Sequence, residues 1–303
     1  MPIKNSKIIN KIKSFLDSIH FPILDISLWG LLEIYIGGLF RNNIMKQSAS
    51  ISWSFFFSLF PFLLFLLSIM PYLPHYSEVY DYIFKVLIPR VLPEHMQGEV
   101  IGYIEESFMP KIKEISSFTI VLVLFFATNG TYSMISGFNE NASIQRGMLK
   151  EYAISFFTTV AFTLSIILFI LGIYYGEIVL KLLMPEYQKF WWASHLTQII
   201  GYFSFPLFYG VALTLFYWVG NVEIKKLNQA LPGAIFTTVL FVLTTSIFAF
   251  YVSEFASYNV LYGSIGSIIL LMIWVNVNVS LLLFGNELNL VIKSIHTKKQ
   301  DKA

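Results

Sequence analysis

The sequence predicts an all-helical, polytopic membrane protein. Three observations carry that prediction. The chain holds six long apolar stretches. It is 56% hydrophobic and only 13% charged, with mean hydropathy +0.68, whereas a soluble domain carries about 25% charged residues. Its lysines and arginines cluster in alternate connecting segments.

Residues 1–46 form an N-terminal region ahead of the spans. In residues 1–20, Ile8, Ile9, Ile12, Phe15, Leu16 and Ile19 recur at helical spacing against Lys4, Lys7, Lys11 and Lys13. Such a helix suits an anionic membrane surface or the protein's own cytoplasmic face. The segment has no continuous apolar core, so it does not read as a cleavable signal. Residues 26–45 are apolar but contain Glu33, which is costly in lipid. The favoured reading is an in-plane helix anchored by Trp29 and Tyr35, with a short spanning helix as the alternative.

The spans occupy residues 47–293. Span one, about 47–70, is the stretch around which the chain is organised. It is uncharged beyond Lys46, and at about 1.5 Å per residue it can cross a hydrocarbon core roughly 30 Å thick. Ser50, Ser54 and Ser58 fall four apart and predict a small-residue stripe for close helix packing. Pro61 removes a backbone donor in mid-span and marks a hinge. Residues 71–113 then form an outer hairpin of two amphipathic helices, about 76–88 and 94–108, punctuated by prolines. The hairpin is too small to be a separate enzyme domain.

Span two, about 114–137, contains Asn129-Gly130, which predicts a local break or a polar contact. It ends on Asn139, Glu140 and Asn141, where a helix-end role competes with membership of a cytoplasmic-side cluster. Span three covers about 150–175. Span four, about 195–219, carries a second hinge candidate, Pro206. Span five, about 231–254, opens on Pro232-Gly233. Span six, about 262–293, is long enough to tilt or to extend into the cytoplasm. The basic tail 294–303 follows. Lysines and arginines favour the segments that include both termini, so the positive-inside bias puts both in the cytoplasm.

Span six is richest in polar residues. Asn276, Ser280 and Glu287 share one face, and Asn278, Gly285 and Asn289 share a neighbouring one. Buried amides and a carboxylate either glue helices together or line a polar cavity. The sharper expectation is that Asn276, Ser280 and Glu287, with Asn139, Ser50, Ser54 and Asn129, line a cavity reached from the cytoplasm. The competing expectation is a dry clamp.

Several function classes lack support. There is no cysteine, hence no disulfide, thiolate metal site or Cys nucleophile. The five histidines form no H-x-x-x-H pair. Phosphate-binding glycine loops and G-x-S-x-G elbows are missing. The near-neutral charge and short lysine groups do not build a nucleic-acid groove, so no nucleic-acid partner, cofactor or metal is expected and a ribonuclease is disfavoured. The expected partners are membrane lipids, with an envelope protein on the outer hairpin as a second option.

Three stretches resemble the YihY/BrkB family of bacterial inner-membrane proteins. They are Ser48–Pro61 (SASISWSFFFSLFP), Asn129–Asn139 with its Gly137-Phe138-Asn139 ending, and Tyr258–Asn289, which is similar to the family's Y-N-x-x-Y-G-[ST] and W…L-x-G-x-E-[LF]-N patterns. The chain departs from the pattern at Asn276 and Asn278, where a Tyr and small residues are more usual. The resemblance implies a six-span inner-membrane protein with a cytoplasmic N-terminal helix. It also implies virulence and former ribonuclease labels, and proposals of lipid or envelope-precursor export. Kink-capable spans at Pro61 and Pro206, the amides of span six and the amphipathic outer cap make transport or flipping of an amphipathic envelope component, without enzymatic activity, the leading expectation. A non-transporting envelope scaffold is the alternative.

Overall fold

The structure is a computed structural model that describes residues 7–18, 20–21, 26–41, 43–73, 76–87, 98, 101–102, 106, 110, 117–183, 191–255 and 264–300. Helix α1 (Lys7–Ser18) leads through a two-residue antiparallel pair, β1 (His20–Phe21) with β2 (Ile26–Ser27), into α2 (Leu28–Arg41). The pair turns the chain so that α1 lies against α2, where Ser27 Oγ donates to Asp17 at 2.8 Å and Lys13 sits 5.5 Å from the Trp29 ring centre.

Asn43 then breaks the helix, with φ 49°. Asn tolerates this left-handed conformation better than most residues, and it lets α3 (Ile44–Ile69) leave at a new angle. A 3₁₀ turn (Met70–Tyr72), α4 (Tyr76–Tyr82) and a π turn (Ile83–Leu87) follow. The first helix of the expected outer hairpin is thus present. Almost all of the second, 94–108, lies outside the described residues, as do Tyr258, Asn259 and Tyr262.

Five more long helices complete the bundle: α5 (Ser117–Asn139), α6 (Met148–Leu183), α7 (Trp191–Gly220), α8 (Leu227–Phe255) and α9 (Ser264–Gln300). With α3 they make six helices long and apolar enough to cross a membrane. Helix α2, of 14 residues, is not one of them. Several helices outrun the expected spans: α6 starts at Met148 and α8 at Leu227, ahead of Pro232.

Each long helix packs on the next in a closed ring, α3–α5–α6–α7–α8–α9 and back to α3. Among the described residues, the α6–α7 seam is the thinnest of these contacts. Six passes bring the start of α3 and the end of α9 to the same end of the bundle, called here the basal end. The core sits there: Ile51, Met134, Ile135, Phe138, Leu213, Phe216, Tyr217, Val279 and Leu283 interlock.

The structure corrects one expectation about span geometry. Helix α5 runs unbroken through Asn129-Gly130. Gly130 instead lets α3 approach, because a Cβ there would run into the Ser58 hydroxyl. The hinge candidates Pro61 and Pro206 lie inside α3 and α7.

Candidate functional site: a polar lock at the basal end

Asn139, the last residue of α5, is the hub of the lock. Its Nδ2 lies 2.9 Å from the Ile135 carbonyl oxygen, 3.0 Å from Glu151 Oε1 on α6 and 2.9 Å from the Gly220 carbonyl oxygen that ends α7. Its Oδ1 accepts from the Val222 N–H at 2.8 Å. One buried amide therefore joins three helix ends and the α7–α8 loop. Arg146 Nη1 adds bonds to the carbonyls of Val219 and Gly220, at 3.2 and 3.0 Å. A cation is favoured at a helix C-terminus, where the last carbonyls lack helical partners.

The loop after α7 is tied to α9 in turn. Asn221 Nδ2 donates to Asn286 Oδ1 at 2.7 Å, while its Oδ1 accepts from the Glu223 N–H at 2.7 Å. Glu223 accepts from the backbone N–H and hydroxyl of Ser143, and Lys293 stands 3.5 Å away. Those Ser143 bonds, the backbone one foremost, hold the Glu223 carboxyl below its ordinary range, and Lys293 helps; partial burial works against them.

Helices α8 and α9 meet at Gly233 and Gly285. A Cβ at either glycine would collide with the other's carbonyl oxygen. This approach brings Asn289, fully buried, onto α8: its Oδ1 accepts from the Gly233 N–H at 2.7 Å and its Nδ2 donates to the Ala230 carbonyl at 3.1 Å. Three carbonyls of α9 also accept hydroxyls from neighbouring helices. Tyr217 on α7 donates to Leu282 at 2.9 Å, Thr237 on α8 to Leu281 at 3.3 Å, and Tyr35 on α2 to Phe284 at 3.1 Å. A helical carbonyl has a second lone pair available for this purpose. Burial, and then the charge of nearby Glu287, push the Tyr35 hydroxyl well above its ordinary range, so it stays a donor. The in-plane anchor expected of Tyr35 is thus corrected: the side chain is buried and docks α2 on α9.

The predicted site residues divide into two groups. Asn139, Ser280 and Glu287 are buried and Asn276 is half-buried. Asn276 Nδ2 donates to Ser52 Oγ on α3 at 3.1 Å, and Ser280 donates back to the Asn276 carbonyl at 2.8 Å. Ser50, Ser54 and Asn129 are exposed and take no part. Of the predicted stripe Ser50, Ser54 and Ser58, Ser58 alone is buried; the buried residues of α3 are Ile44, Ser48, Ile51, Ser52, Phe56, Ser58, Phe65 and Ser68. Among the described residues, no three His, Asp or Glu side chains converge to hold a metal.

Residues 36–303 match the family described as Virulence factor BrkB. The chain belongs to that family. Among its relatives is a protein of Bacillus subtilis (strain 168) described as "Putative ribonuclease-like protein YfkH", 29% identical over 84% of this chain and 91% of the relative. A UPF0761 membrane protein of Histophilus somni (strain 129Pt) is 21% identical over 85% of this chain and 88% of its own length. Another, from Pseudoalteromonas atlantica, is 25% identical over 86% and 85%. No solved structure matches. The chain is thus a membrane protein of the BrkB family.

Sequence reasoning missed several residues of the lock: Tyr35, Glu151, Tyr217, Asn221, Thr237 and Asn286. The available signal was position. Glu151 and Asn221 flank apolar stretches, where a polar residue looks like an ordinary boundary until a partner is seen.

Proposed function

We propose that this BrkB-family protein moves an amphipathic envelope component, a lipid, across the bacterial cytoplasmic membrane, with its basal end and both termini in the cytoplasm. The observation that carries this reading is a change in packing along two helices. On the inward line of α8, Ala230, Ala234 and Thr237 are all 0% exposed. Further along the same line, Phe241, Thr245 and Phe248 are half-buried, before Val252 is buried again. On α7, Leu213 and Phe216 are buried, while Tyr209 and Phe205, one and two turns further out, are half-buried. A bundle locked at its base, with a stretch of half-buried side chains on α7 and α8 above the lock, fits one arm of an alternating-access cycle. The thin α6–α7 seam offers a lateral route to the bilayer. Pro206 sits inside α7, and the carbonyl it frees gives α7 a place to bend.

The test is reconstitution of the full chain in vesicles carrying lipids with labelled headgroups on one leaflet. The expected result is protein-dependent loss of sidedness for at least one lipid class. No change across a broad panel removes the transport reading and leaves the scaffold.

A further inference from the structure

Just outward of the lock, α7, α8 and α9 enclose polar atoms that the fold does not use. Asn278 Nδ2 donates to the Trp274 carbonyl at 2.7 Å, which fixes the orientation of the amide. Its Oδ1 is then a buried acceptor without a partner. Thr245 Oγ1 on α8 is also buried without a partner. Both residues lie on the facing sides of α8 and α9, with the Phe241–Trp274 contact, 6.2 Å between ring centres, between them. Tyr209 of α7 packs on Phe241 at 4.5 Å between ring centres. Gly233 meets Gly285 and Thr237 meets Leu281, and this register puts Asn278 beside residue 240, near the middle of the apolar stretch Leu227–Val252.

A buried acceptor left open costs free energy, and a fold gains nothing from it. Leu at 278 would fill the same space without that cost. Such an atom therefore points to a ligand that donates a hydrogen bond. The surroundings say what else the ligand is. Residues 203–220, 227–253 and 264–286 contain no Asp, Glu, Lys or Arg. A phosphate at this depth would have no counter-charge, which is costly in the membrane interior.

Resting on the transport reading, we propose that α7, α8 and α9 bind a lipid with an uncharged hydroxyl head, of the diradylglycerol class. Its hydroxyl donates to Asn278 Oδ1, the Thr245 and Tyr209 hydroxyls donate to its ester oxygens, and its chains lie against Phe241 and Trp274.

The experiment uses full-length protein in nanodiscs and a diacylglycerol carrying a diazirine on one acyl chain. Its O-methyl ether, which cannot donate, serves as the control. After photolysis, adducts are mapped by mass spectrometry. The expected adducts fall within residues 203–212, 241–248 and 271–278. Labelling by the methyl ether is at least tenfold weaker. Diacylglycerol competes and phosphatidic acid does not. Asn278→Leu loses labelling while its melting temperature holds or rises, which a purely structural asparagine would not allow; Thr245→Val weakens labelling in the same direction. Equal labelling by the ether, competition by phosphatidic acid, or adducts confined elsewhere overturns the proposal. Labelling here by a protein that moves no lipid in vesicles upholds the site and removes the transport reading. Lipid movement without labelling here does the reverse.

Discussion

Asn139 shows what a single side chain does at a helix end. Its amide meets Glu151, Gly220 and Val222 at once, on elements far apart in sequence. Asn139→Ala strips partners from a buried carboxylate, a carbonyl and an N–H. Loss of even one such partner costs about 1–3 kcal/mol, so a destabilisation of about 2 kcal/mol or more is expected in detergent melts. Asn129→Ala, at an exposed position on the same helix, should change stability by less than about 0.5 kcal/mol. Equal effects would show that the hub carries no weight. The sequence made Asn139 visible as a polar residue closing an apolar run. Its partners were not visible, because hydrogen bonds to residues 151, 220 and 222 depend on how the helices are arranged. Ser50 and Ser54 show the opposite failure. Their spacing was legible but their direction was not, since periodicity defines a face without saying what covers it.

At the scale of the element, helix existence was legible and helix contact was not. All six apolar stretches are helices, because the cost of unpaired backbone groups in lipid leaves no other structure for an isolated span. Ends were harder to place: α8 begins ahead of Pro232, where the loop backbone at Lys225 and Lys226 is received by Gln229. The Gly233–Gly285 approach sets the separation of α8 and α9. Gly233→Ala should force these helices apart and break both Asn289 bonds, for a loss of roughly 2–3 kcal/mol. Gly172→Ala is the matched control, because nothing lies within 4 Å of its added methyl. It should be neutral or slightly stabilising, as expected where alanine replaces glycine in an open helical position. A Gly233→Ala protein that melts with the wild type would mean that the two helices are not held this closely.

For the whole molecule, the lock and the half-buried stretch of α7 and α8 above it make one claim about where water reaches. The sequence leaves a cavity reached from the cytoplasm and a dry clamp as competing readings. In the structure Asn139 bonds to helix ends and a loop N–H, Asn221 to Asn286, Asn289 to the backbone of α8 and Asn276 to Ser52, contacts that a clamp and a cavity wall share. The choice between the two was beyond sequence reasoning, because a cavity amide and a clamp amide are the same residue on the same helical face. The most direct test takes advantage of a chain without cysteine, into which single cysteines can be placed. Ser280→Cys reports on the lock, Phe248→Cys on the outer half, and Leu243→Cys on the exposed face of α8. Each is treated with a membrane-impermeant thiol reagent from either side of sealed vesicles. The account predicts modification at 248 from the extracytoplasmic side alone, with 280 and 243 protected from both sides. Modification of 280 from the cytoplasmic side, with 248 protected, would contradict it.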